Sequence, residues 1–205
     1  MNRKQFLKTI GGGTLAMTLV PNLLLAENLK FLEVNSEYKL TILHTNDQHS
    51  RIEPFDASYT RNPNQGGFAR RAALIQKIRS EEKNLLLLDS GDIFQGTPYF
   101  NFFGGELEFK LMSMMGYDAS TMGNHDFDNG LDGFKKVLPN AKFPFICSNY
   151  DFKNTILDEQ TIPYKIFNKN GLKVGIFAGR KEKLWRNCLA KSDRNCATLF
   201  RIFKK

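Results

Sequence analysis

At 205 residues, 41% hydrophobic and 24% charged, the chain is long enough to bury the core of one full α/β domain, and its composition excludes a disordered or fibrous protein. The formal net charge of +8 suggests a basic partner surface only until it is located: residues 180–205 carry nine Lys/Arg against two Asp/Glu, and residues 1–26 add Arg3, Lys4 and Lys8 with no acid. The body between them is slightly acidic, so no nucleic-acid partner is expected. Three cysteines, Cys147, Cys188 and Cys196, form neither a disulfide framework nor a zinc-type pair.

Residues 1–26 read as an export signal, with a positive start followed by an apolar or small stretch. Gly11-Gly12-Gly13 interrupts that stretch, which is too short for a stable membrane span. Arg3-Lys4-Gln5-Phe6-Leu7-Lys8 resembles a twin-arginine motif with Lys in place of the second Arg. A twin-arginine-like and a Sec route both stay open, as does an uncleaved N-terminal anchor; export leads to the periplasm or cell surface. Residues 27–38 form a linker. A first strand over 39–45, with Leu40, Ile42 and Leu43, ends in Asn46-Asp47-Gln48-His49. The polar segment 50–67 is a long loop of the kind that serves a function. Residues 68–82 carry a helical apolar stripe with Arg70 and Arg71 outside it, facing solvent.

The continuous apolar run 85–88 predicts a strand buried on both faces, ending in Asp89-Ser90-Gly91-Asp92. A helix over 106–115, a third strand over 119–122, a helix over 131–138 and a fourth strand over 143–148 follow, with Cys147 packed inside the last. Segments 164–167 and 174–177 pair as a hairpin around Asn170-Gly171. The order βαβαβαβ with short connections predicts an α/β fold with a mostly parallel sheet flanked by helices.

Three consecutive strands finish in groups that bind hard or borderline cations. Asp47 and His49 stand two apart, so an extended segment aims both to one side. Asp92 follows a glycine that permits a sharp turn, and the third strand runs into Gly123-Asn124-His125-Asp126-Phe127-Asp128. Strand ends of a parallel sheet converge on one edge, where active sites of α/β proteins lie. Carboxylate, imidazole and amide oxygens suit Zn, Mn, Mg or Ca. Asp47 and Asp92 repel each other unless neutralised. Two ions roughly 3.5–4 Å apart, one carboxylate bridging them, resolve the repulsion and create a phosphate-binding centre. His44 reads as a structural strand residue. Tyr99, Phe100, Phe102 and Phe103 read as a lid or as packing ahead of a base-stacking surface.

Taken together, Thr45-Asn46-Asp47-Gln48-His49, Gly66-Gly67-Phe68-Ala69-Arg70, Gly91-Asp92-Ile93-Phe94-Gln95-Gly96-Thr97-Pro98 and Gly123-Asn124-His125-Asp126-Phe127-Asp128 resemble the N-terminal metallophosphoesterase domain of the bacterial 5′-nucleotidase family, which includes UDP-sugar hydrolases and cyclic-nucleotide phosphodiesterases. The resemblance covers residues 39–178 and implies a calcineurin-like metallophosphoesterase sandwich, of which only the N-terminal half of the sheet arrangement is expected. It implies that Asp47 and His49 bind a first divalent metal ion, that Asp92 bridges to a second, and that Asn124 binds the second. His125 would stabilise the phosphoryl transition state or protonate the leaving oxygen, with Asp128 orienting it and Asp126 in support. The implied reaction is attack of a metal-bound hydroxide on a phosphomonoester, with a nucleotide or other phosphoester as substrate.

The family also draws ligands from histidines further downstream, whereas the three histidines here are His44, His49 and His125. The second metal site is therefore expected to be under-ligated, and activity of this chain alone weak or absent. Residues 179–205 are expected to be a disordered basic tail outside the family pattern, produced by a frameshift or truncation. A non-catalytic metal- or phosphate-binding fragment is the alternative reading, as is a thiosulfate-ester hydrolase relative, against which Gln95-Gly96-Thr97-Pro98 argues.

Overall fold

A computed structural model describes residues 38–178. The expected export signal, linker and basic tail, including Cys188 and Cys196, lie outside the described residues. Within them run β1 (Thr41–Thr45), α1 (Phe68–Glu81), β2 (Leu85–Asp89), α2 (Pro98–Phe103), α3 (Glu106–Met115), β3 (Ala119–Ser120), α4 (Gly130–Val137), β4 (Tyr164–Lys169) and β5 (Leu172–Phe177), with short 3-10 turns at His125–Phe127 and Leu138–Asn140.

Strand order is β1-β2-β3, both pairings parallel, with Thr45 opposite Asp89 and Leu88 opposite Ala119. This is the predicted α/β architecture, and it brings the C-terminal ends of all three strands to one edge. Every residue of β2 is buried, as its unbroken apolar run requires. Successive side chains of a strand alternate between faces. Leu85 and Leu87 therefore enter a core with Phe94, Phe109, Phe134 and Phe145. Leu86 and Leu88 enter a second one with Ile146, Val174, Ile176 and Ala178. The β4–β5 hairpin thus covers the face of the sheet opposite the helices. Its turn residues Asn170 and Gly171 have φ of 51° and 89°, the left-handed pair that a tight two-residue hairpin demands.

The helix-side core is built of phenylalanine. Phe109 on α3 lies 4.8 Å from Phe94 and 5.3 Å from Phe145, centroid to centroid, and Phe134 lies 5.1 Å from Phe145. Tilted and edge-to-face pairs at these separations add to the burial of their area.

Three expectations on elements change. The third strand stops at Ser120 instead of Met122, because the chain there already turns into the loop that carries His125. The expected fourth strand over 143–148 is reduced to isolated parallel bridges, Ser120 with Phe145 and Ile146 with Ile162. The aromatic stretch after Thr97 is a helix, α2, begun by Pro98 at its first turn and ended by left-handed Gly104. Its Phe100 is core, while Phe102 is 81% exposed, so packing and exposure divide within one helix. Cys147 is buried, as predicted.

Candidate metal centre

The loop after β1 does not continue as a strand. Asp47, His49 and Ser50 have φ of 47°, 47° and 51°, a region that non-glycine residues enter at a cost of order ~1 kcal/mol or more each. The extended geometry predicted for Asp47 and His49 is therefore replaced by a left-handed turn. Both side chains still come to the same place, because Gln48 between them turns into the protein and is 5% exposed. Three backbone bonds stitch this loop to the one after β2: the N–H groups of Asp47, His49 and Ser50 donate to the carbonyls of Gly91, Asp92 and Ile93 at 3.0, 3.1 and 2.8 Å.

The loops after β2 and β3 touch through their glycines. A Cβ on Gly91 would overlap the backbone nitrogen of Gly123, and a Cβ on Gly123 would overlap the Asp92 carboxylate. Asp126 locks the contact. Its carboxylate is 1% exposed and accepts four backbone N–H groups, from Gly123 at 2.8 Å, Asp92 and Ile93 at 2.9 Å and Phe94 at 3.2 Å. Burial pushes its pKa up to about 7, against the pull of those N–H groups. A proton would displace one of the four, so the bonding pattern is that of a carboxylate.

One ligand atom each from Asp47, His49 and Asp92 lies within 4.8 Å of the others. His49 presents Nδ1 to the Phe94 carbonyl at 3.2 Å, which fixes that nitrogen as the protonated one and leaves the Nε2 lone pair for a cation. Nε2 stands 3.8 Å from Asp47 Oδ1. Two carboxylates and a preset imidazole fit a divalent metal ion. Beside them the His125 ring meets the His49 ring edge-on, with centroids 5.3 Å apart. The His125 backbone N–H donates to Asp92 Oδ1 at 2.9 Å. His125 Nδ1 and Asp128 Oδ2 are 2.9 Å apart, and that hydrogen bond is the main reason the His125 pKa is raised, partial burial opposing it. Asn124 is exposed on the same loop, immediately before His125. The six predicted site residues therefore lie on three adjoining loops.

Other predicted positions sort differently. His44, exposed on β1, contacts the Ser90 hydroxyl and is not part of the three-ligand cluster. Arg71 was expected in solvent. It instead donates to Gln48 Oε1 and stacks 4.3 Å over the Phe68 ring, while its neighbour Arg70 is exposed and donates to the Asn64 carbonyl. Sequence reasoning treated Asp126 only as support; its acid-for-backbone bonding could have been suspected from an Asp directly after Gly-Asn-His, but four donors from two loops could not.

The profile of the calcineurin-like phosphoesterase family matches residues 40–200. The chain belongs to the calcineurin-like phosphoesterase family. It is 44% identical over 146 residues to the snake venom 5′-nucleotidase of Crotalus adamanteus, spanning 68% of this chain and 25% of that protein. Among solved structures it resembles the Thermus thermophilus 5′-nucleotidase precursor (37% identity, TM-score 0.63, 68% of this chain and 28% of the other) and the Haemophilus influenzae NAD nucleotidase (37%, TM-score 0.62, 67% and 28%). The chain thus spans about a quarter of the length of the curated relatives it matches. The expected family and fold are borne out, and the match is to the N-terminal part of those proteins.

Proposed function

We propose that this phosphoesterase hydrolyses phosphomonoesters of nucleotides, in the manner of a 5′-nucleotidase. The convergence of Asp47, His49 and Asp92 beside the His125–Asp128 pair carries the reading. In it Asp47, His49 and Asp92 would hold a first divalent metal ion, and Asp92 with Asn124 would hold a second. Such ions neutralise phosphate charge and lower the pKa of a bound water. The chain's own part is orientation and proton transfer. Asp128 accepts from Nδ1–H of His125, fixes the ring and favours its protonated form. Nε2–H is then available to a phosphoryl oxygen, or to the leaving alkoxide as its P–O bond breaks, which returns a neutral alcohol.

The described residues offer three carboxylate or imidazole ligands in one cluster, which favours one well-held ion and slow turnover by this chain alone. A non-catalytic metal- or phosphate-binding fragment is the second reading on the same observation. Release of inorganic phosphate from AMP by the purified chain with manganese tests both. Slow, manganese-dependent release supports the hydrolase, none supports the binding fragment, and turnover of ordinary enzymes refutes under-ligation. Export to the periplasm or cell surface is proposed from residues 1–26; among the described residues, no helix is long and apolar enough to cross a membrane.

A further inference from the structure

Gln48, between Asp47 and His49, is hydrogen-bonded at both ends of its side-chain amide. Gln48 Nε2 donates to Asp89 Oδ2 at 2.6 Å, and its Oε1 accepts from Arg71 Nη1. Asp89, 2% exposed, is where the three strand ends meet: Thr45 of β1 donates to it at 2.6 Å, Ser120 of β3 at 3.1 Å, and the Gly91 N–H at 2.9 Å. Arg71 reaches the same amide from α1. The loop above is held in three left-handed residues that β-strand continuation would avoid. Beyond the backbone bonds to the next loop, Thr97 Oγ1 donates to the Ser50 carbonyl at 2.6 Å and the Phe68 N–H, at the start of α1, to the Ile52 carbonyl at 2.9 Å. Those contacts hold the far side of the loop; the Gln48 side chain ties the stretch between Asp47 and His49 to β2 and α1.

We propose that Gln48 is a positioning residue that holds Asp47 and His49 in ligating geometry by tying their loop to Asp89 on β2 and Arg71 on α1. The part concerning metal affinity rests on the metal-centre reading above; the anchoring of the loop does not.

Two readouts on the full chain separate these. Gln48→Leu keeps the buried volume and removes both amide bonds. In metal-free protein, hydrogen exchange at the His49 and Ser50 amides is expected to accelerate at least about tenfold, while the amides of Leu86, Leu87 and Leu88 stay within about twofold. In the second readout, manganese titrated into the same protein is expected to bind about ten- to a hundredfold more weakly, the usual loss when a group supporting a ligand is removed. Ser120→Ala takes a donor from the same Asp89 carboxylate without touching the loop, and should leave both readouts within about twofold. Where Gln48→Leu does not fold, Arg71→Met removes the outer bond, together with the contact over Phe68, and leaves the Gln48–Asp89 bond in place; it should give the same pattern at smaller amplitude. Unchanged loop exchange overturns the proposal, as does equal loss in Ser120→Ala, or loosened exchange with unaltered manganese affinity. If the parent chain binds no manganese, the metal-centre reading fails and the exchange data alone decide whether Gln48 anchors the loop.

Discussion

Asp126 and Glu108 are both buried acids, and they illustrate opposite solutions to the same penalty. Asp126 meets four backbone N–H donors. Glu108, fully buried on α3, has no hydrogen-bond partner for either oxygen among the described residues. Replacing Asp126 by Asn turns an accepting oxygen into a donor that faces N–H groups. A loss of about 2–4 kcal/mol is expected in urea unfolding, since buried donors are left unmet. For Glu108, burial raises the pKa; the nearby Ser50 hydroxyl eases the charge slightly without completing a hydrogen bond. A carboxyl whose folded pKa lies above its unfolded value is favoured when protonated. The stability it contributes is present below the ordinary Glu range and is lost as pH rises through the raised value. Glu108→Gln should therefore be more stable than the parent at about pH 8, with the gap closing toward about pH 4, in parallel unfolding curves. A flat difference across that range would count against a buried titrating carboxyl.

At the scale of elements, β2 and α3 carry the fold. Alternation of Leu85 to Leu88 between two cores was readable because an unbroken apolar run fits a strand covered on both sides. Phe109 sits in the phenylalanine cluster with no exposure. Phe109→Ala is expected to cost about 3–5 kcal/mol, as a cavity among rings that cannot all move inward, and calorimetric unfolding reads it. The long helices and the hairpin were legible from periodicity and from Asn170-Gly171. The helix α2 was not, because six residues with four aromatics show no helical stripe. The strand expected over 143–148 was apolar enough, but pairing needs a neighbour in register, and only Phe145 and Ile146 find one.

At the scale of the molecule, β1 pairs with β2 alone among the described strands. The three ligands of the cluster come from two loops, and His125 from the third, so the site exists only when the β1-β2-β3 order is formed. Titration of the whole chain with manganese is expected to give one tight equivalent, and His49→Ala should abolish it. Two equal tight sites would require ligands beyond the three in the cluster.

By itself the sequence placed Asp47, His49, Asp92, Asn124, His125 and Asp128 after apolar runs whose ends a parallel sheet brings together. The family resemblance, and not the spacing, implied a role for each. Tertiary structure decided how those groups are held. The left-handed turn at Asp47 and His49, the inward Arg71 and Gln48, and the clamp at Asp126 each depend on partners more than twenty residues away. Local pattern records what a residue can do; only the packing of distant loops settles which of its bonds are made.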